Sequence, residues 1–323
     1  MRIVQKVRYM KLLRLAPENT KFGFMRFRRV SYPFSALMSI VSVVLFLSVG
    51  MNFGIDFSGG TLIEVRAKSG VADIAALRTN TEKMDVGGVE VQGFGTPADV
   101  TLRFGLQPGG DAAQEAAVGR VKSAIGDDYE IRRTEVVGPR VSGELVQSGT
   151  LGVVITIIAV LCYLWFRFEW QFAVGAIIAT MHDLLLTVGF FSITQLEFNT
   201  TSIAAILTIV GYSLNETVVV LDRIREMMRK YRKMPTDDLI DLSVNAVLPR
   251  TIMTATTVFL ALLSLVTFGG EVIRSFSVAM IWGIFVATYS SIFICSPMLI
   301  YLGLRHEGVE PAAAPSPSVK APA

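Results

Sequence analysis

Cysteine and histidine are nearly absent from this chain: two of each in 323 residues. Cys162 and Cys295 both fall in apolar runs, so they read as small buried hydrophobes, and no disulfide framework is expected. His182 and His306 are the only imidazoles, too few with those thiols to form a zinc constellation. No G-x-x-x-x-G-K-[ST] stretch occurs, so nothing cradles a nucleotide phosphate and the chain is not expected to hydrolyse ATP. The stretch GIDFSGG, residues 54–60, carries a serine before a glycine, but Asp56 stands where a nucleophile elbow needs its first glycine. An enzymatic reading finds no support, and neither a cofactor nor a metal is expected.

What is abundant is apolar surface. Hydrophobic residues make up 52% of the chain and the mean hydropathy is +0.52, above what a soluble domain carries. Runs of about 20 apolar residues cross a bilayer as helix. Six occur, at 34–53, 145–166, 171–191, 198–221, 251–268 and 275–304. The first is too long, and lacks the small-residue cleavage site, for a removable signal peptide. Residues 1–33 hold nine Lys/Arg against Glu18 alone, and the loop after the fourth run holds six more. The positive-inside rule then puts both termini in the cytoplasm and the long segment 54–143, with ten basic and thirteen acidic residues, outside. The net charge of +3 thus reflects a basic face toward anionic lipid, not a nucleic-acid surface.

The outer segment has its own pattern. Alternation in GGTLIEVRAK, GVEVQGFG, ADVTLRFGL and DYEIRRTEVVG predicts strands, and VADIAALRTNTEK and DAAQEAAVGRVKSAIG predict helices. The order β-α-β-β-α-β is that of a ferredoxin-like α+β domain. The expected organisation is a basic N-terminus (1–33), the first span (34–53), this external domain (54–143), a bundle of five further spans (144–304) and a disordered Pro/Ala-rich tail (305–323).

Ionisable residues inside the spans are the exceptions: His182, Asp183 and Glu216. A charge near mid-membrane costs about 2.5–3.5 kcal/mol on the most lenient scale, so Glu216 needs a partner, a cavity or a proton. Helical spacing gives it a polar flank of Thr208, Gly211, Tyr212, Ser213, Asn215 and Thr217. Arg250 follows Pro249, a residue suited to a first helical turn, and so is placed at the start of the fifth span. With Thr254, Thr257, Ala261 and Ser264 it makes a small polar stripe expected to face the Glu216 flank. Arginines at span ends also snorkel to headgroups, but an acid of similar depth favours pairing. For Asp183 two readings stand: a structural carboxylate bonded to Ser or Thr of a neighbouring helix, or a relay.

The motifs GIDFSGG, VGPRVSGELVQSG, IVGYSLNETVVVLDRIRE, LPRTIMTATTV and FGG followed by TYSSI resemble the SecF family, the smaller half of the SecD/SecF accessory complex of bacterial protein export. The resemblance covers residues from about 26 to 304. It implies the fold of the resistance-nodulation-division superfamily, in which two six-helix halves pack about a pseudo-twofold axis, this chain supplying one. It also implies proton passage through an acid after "SLN" and an arginine opening the next span, here Glu216 and Arg250; the family's acid is often aspartate. Gly59 and Gly60 match its glycine pair, beside Asp56, and Ser58 stands where threonine is frequent. The implied partners are SecD, the SecYEG channel, YajC and the unfolded polypeptide in transit, in the inner membrane. A non-transporting scaffold of the channel and half of a small-molecule or lipid exporter are the competing readings.

Overall fold

The computed structural model describes residues 20–84, 86–270 and 273–304. The start of the basic N-terminus and the tail expected to be disordered, with His306, lie outside the described residues. Among the described residues, six helices are long and apolar enough to cross a membrane.

The first, α1 (Arg28–Ser48), follows a 3-10 turn (Phe24–Phe27) and lies nearer the N-terminus than the apolar run suggested. Its far end is set by competition for backbone. Gly54 N donates to Phe198 O (2.8 Å) and Phe198 N to Asn52 O (2.7 Å), so residues 52–54 run extended beside the loop at Phe198 and cannot continue the helix. Pro33 is held inside α1.

A four-residue turn of helix, α2 (Ile55–Ser58), leads into the sheet domain: β1 (Gly60–Ala67), α3 (Ile74–Glu82), β2 (Val89–Gly93), β3 (Asp99–Phe104), α4 (Gly110–Ile125) and β4 (Tyr129–Val137). The sheet is antiparallel in the order β2-β3-β1-β4. One face packs under α3 and α4 through Ile63, Val65, Leu102, Phe104, Leu77 and Val121. Each such side chain contributes about 1.5–3 kcal/mol on leaving water. The register is pinned at one end by Arg66 of β1, whose Nε and Nη2 meet the two carboxylate oxygens of Asp99 on β3 at 2.6 and 2.8 Å.

The remaining spans are α5 (Pro139–Arg167), α6 (Trp170–Thr194), α7 (Thr200–Lys230), α8 (Thr236–Phe268) and α9 (Arg274–Ser290). The last continues through a π turn (Ser291–Cys295) into α10 (Ser296–Tyr301). The centre is α6, α7 and the α9–α10 span, whose apolar windows are 56%, 44% and 61% buried; α1, α5 and α8, at 17%, 6% and 11%, ring it. Cys295 is buried in the centre, whereas Cys162 points outward from α5, against the expectation that both are buried.

The fifth span departs most from its expected form. α8 starts fifteen residues before the apolar run, at Thr236, so Pro249 is interior and Arg250 does not begin the helix. An interior proline costs about 3 kcal/mol in a free helix. Here the first half of α8 is anchored: Leu239, Ile240 and Val244 are buried, and its polar face grips the segment before α1. Asn245 exchanges two hydrogen bonds with Phe22, Asp241 Oδ1 accepts from Met25 N (2.9 Å), and Asp237 pairs with Arg28 (2.6 Å).

The sheet domain has a core of its own, and the isolated fragment 54–143 is expected to melt cooperatively in water. Arg66 beside Asp99 holds that carboxyl down at about 2. An acid held lower in the folded state than in the unfolded one stabilises above its unfolded value, and the benefit fades as pH falls through the folded value. Thermal melts of the fragment should therefore weaken between about pH 4 and pH 2, and Asp99→Asn should flatten that dependence while lowering stability near neutrality.

Candidate functional site in the helix bundle

Glu216 sits midway along α7, a helix fixed at its start by a reciprocal capping box between Asn199 and Ser202. Its side chain is 3% exposed, which agrees with the expectation that it faces protein. Its neighbours on α8 are Thr251, which reaches the carboxyl as a side-chain hydrogen-bonding group, and Arg250, which acts on it only through its field. Tyr212, one turn earlier on the same face, turns its buried hydroxyl toward Thr288 Oγ1 without a hydrogen bond of ordinary geometry, and Thr217 Oγ1 is likewise unpaired among the described residues.

Arg250 is brought near Glu216 without forming an ion pair with it among the described residues. Its side chain is exposed in a groove of about 460 Å³ between α7 and α8, shared with Asp222, Arg223 and Glu226. Asp222 is held by Arg167 at 2.8 Å, and Arg223 by Glu226 at 2.7 Å.

Asp183 on α6 contrasts with Glu216. It is 1% exposed and fully engaged: its Oδ2 accepts from Ser213 of α7 (2.5 Å) and Ser290 of α9 (2.8 Å), and its Oδ1 lies 3.1 Å from His182 Nδ1. The bond to Ser213 sets Asp183 about one turn from Glu216, toward the sheet-domain end. Thr180 and Thr187, which share its face, bond their own helix backbone. His182 Nε2 is buried and unpaired.

The supporting polar residues divide into two groups. Ser213 and Tyr212 turn inward, but Asn215 is exposed along with Thr208 and Gly211, and Thr254 is only half-buried. On α8, Arg250, Thr257, Ala261 and Ser264 are exposed too, so that stripe does not cover the Glu216 flank as expected. Seen together, α7 and α8 present an uncovered polar and small-residue face; no atom lies within 4 Å of a Cβ added at Gly211.

The glycine motif stands at the opposite end of α7, sixteen residues or about 24 Å from Glu216. Gly60 has φ 120°, and a Cβ there would lie within 2.4 Å of Phe104 O, so β1 can meet β3 only through glycine. Gly59, at φ 69°, turns the chain into it. Asp56 Oδ2 reaches the start of α7, accepting from Thr200 N (2.8 Å) and Thr200 Oγ1 (2.6 Å). Beside it, burial pushes the Glu197 carboxyl upward, with Arg103 opposing and Asp56, Glu135 and Glu64 adding to the rise. Sequence reasoning missed Thr251, Ser290, Thr200, Glu197 and Arg103. Each is an ordinary residue in its own segment, and only the packing of elements far apart in the chain gives it a role.

A bundle of six apolar helices with two buried carboxyls, carrying a four-stranded domain inserted after its first span, defines a multi-pass membrane protein. Residues 117–305 match the family model described as Protein export membrane protein SecD/SecF, C-terminal, and residues 44–71 match the SecD/SecF GG Motif. The chain belongs to the SecD/SecF family of protein export membrane proteins. It is 44% identical over 291 residues to the protein translocase subunit SecF of Rickettsia bellii, covering 89% of this chain and 95% of that one. It is also 41% identical over 293 residues to the protein translocase subunit SecDF of Brucella abortus, 91% of this chain but 39% of the longer protein. The crystal structure of SecDF, a translocon-associated membrane protein from Thermus thermophilus, superposes with a TM-score of 0.80 at 31% identity, over 90% of this chain and 40% of that one.

The two serine bonds to Asp183 make a direct prediction. Ser290→Ala leaves the buried carboxyl with one hydroxyl donor in place of two, which should cost about 1–3 kcal/mol. Asp183→Asn keeps the acceptor for both serines and should cost less. Thermal unfolding of the detergent-solubilised protein, followed for both variants, checks the order.

Proposed function

We propose that this chain works as one half of a SecD-partnered assembly that uses ion flow through the membrane to promote late steps of Sec-dependent polypeptide export, without enzymatic chemistry of its own. Membership of the family establishes the export setting, and the fused SecDF relatives establish SecD as its partner in kind. Coupling to ions, contact with SecYEG and YajC, residence in the inner membrane and cytoplasmic termini are parts of the proposal.

The observation that carries it is the state of Glu216: nearly inaccessible, inside a span, with Thr251 as its hydrogen-bonding neighbour on α8, and with Arg250 close enough to act on it but not paired among the described residues. A carboxyl so placed pays heavily for its charge and responds to small changes in the distance of the cation. A proton moving down the membrane potential releases about 2.3 kcal/mol per 100 mV, enough to bias a two-state rearrangement. The groove at Arg250, Asp222 and Arg223 is the route from Glu216 to the arginine-rich face. In the proposed cycle protonation of Glu216 shifts α7 against its neighbours, and the sheet domain follows and hinders backsliding of the polypeptide.

The uncovered face of α7 and α8 supports the partner reading. Asn215 and Arg250 are costly against lipid, and Thr208, Thr257 and Ser264, whose hydroxyls bond their own helix backbone, are small enough to let a second helical half approach closely.

Glu216→Gln preserves size and hydrogen-bonding capacity but cannot titrate. Reconstituted with SecD, it should lose ion flux and export stimulation while the complex still assembles. Glu216→Asp should keep part of both, and Arg250→Ala should impair flux, with Arg250→Lys rescuing incompletely because it lacks the planar fork. Full flux and export in Glu216→Gln at normal assembly would leave the scaffold reading standing.

A further inference from the structure

The motif that joins α1 to the sheet domain is fastened to the start of α7, the helix that carries Glu216. Asp56 supplies a carboxylate oxygen to the first backbone N–H of α7 and to the hydroxyl of the same residue, Thr200. That N–H is one of the four a helix leaves unpaired, and the positive end of the helix dipole favours the charge. The Ser202 N–H, another of the four, is taken by Asn199, so the loop caps one donor and the motif caps another.

Three further contacts make this attachment stiff. Gly54 N bonds Phe198 O, and a Cβ at Gly54 would lie 2.5 Å from Glu197 Oε1, so the two loops touch through backbone. Phe57 and Phe53 pack on Phe198 with ring centroids 5.6 and 5.8 Å apart. On the other side, Arg103 of β3 reaches Asn52 Oδ1 (3.1 Å), Ser58 Oγ (3.1 Å) and Phe53 O. A displacement of the α7 terminus therefore meets, in order, Asp56, the turn of α2, Arg103 and the strands β1 and β3. Along this route a single residue, Gly59, separates α2 from β1.

We infer that Asp56 is a positioning residue: it forms a fixed joint through which movement of α7 is delivered to the sheet domain. The inference rests on the reading that α7 moves when Glu216 titrates. The joint stays closed throughout the cycle, so its loss uncouples the two ends and does not stop ion passage, which takes place about 24 Å away. Being made of two charge-assisted hydrogen bonds, it is strong enough to transmit and specific enough to break by one substitution.

The test uses the full chain with SecD in proteoliposomes, reading ion flux and export stimulation separately. Asp56→Ala should lower export stimulation about ten-fold, the factor that 1.4 kcal/mol gives, with flux within about two-fold of the unaltered protein. Asp56→Asn, which keeps one acceptor oxygen, should fall between. A cysteine pair, Asp56→Cys with Thr200→Cys in a Cys162→Ser, Cys295→Ala background, keeps the test open if Asp56→Ala fails to fold. Reduced, the pair should be uncoupled; oxidised, a covalent joint should restore export, and reductant should abolish it again. Full export in Asp56→Ala, parallel loss of flux and export, failure of the pair to crosslink, or an oxidised pair that blocks export would each overturn the joint. Unchanged flux in Glu216→Gln would instead overturn the ion reading, and the cysteine pair would still crosslink.

Discussion

An ionised carboxyl in a low-dielectric interior must be solvated by the protein or give up its charge, and the bundle treats its two acids in opposite ways. Asp183 is solvated by Ser213, Ser290 and His182, which belong to three different helices, so it ties α6, α7 and α9 into the buried centre. Glu216, a turn away on α7, has no such shell, only the nearby Thr251 and Arg250. A carboxyl with three partners resists change, because each bond must be broken before the helices part. In the proposed cycle a carboxyl with one hydroxyl neighbour and an unpaired cation nearby exchanges a proton for the cation's approach. In the proposed cycle the same helix thus has one fixed level and one responsive level, set by where the hydroxyls of neighbouring helices fall along it.

Much of this was legible in the sequence, because the signals were periodic or rare. Six apolar runs appear as six candidate spans, and the strand and helix pattern of residues 60–137 appears in the order read from alternation alone. Glu216 stood out because acids are rare in such runs, and its burial follows. The failures have a common cause. Pro249 was read by its local preference as a helix start, and tertiary anchoring of residues 236–248 to the segment before α1 outweighed that preference. The end of α1 was hidden for a similar reason, since the backbone of residues 52–54 is claimed by Phe198, almost 150 positions away. The polar flank of Glu216 divides in direction, with Ser213, Thr217 and Tyr212 turned in and Thr208, Gly211 and Asn215 turned out: spacing on one helix shows which residues share a face but not which neighbour covers it.

That outward polar face separates a self-sufficient bundle from a half. In water, exposed threonine and asparagine need no explanation, but in hydrocarbon each is a cost, and helices there associate through small and polar contacts, not through apolar burial. α6, α7 and the α9–α10 span bury each other well, so the chain has a stable centre without help. α8 does not join that centre along its membrane half, where its exposed residues run from Arg250 through Thr257 and Ala261 to Ser264. The two α8 groups that act on Glu216, Thr251 and Arg250, belong to this peripheral helix. In the proposed assembly a partner that packs on α8 also acts on Arg250, so covering the polar face and tuning the acid become one event at the seam where the buried α7 meets the peripheral α8, while Asp183 lies wholly inside the centre.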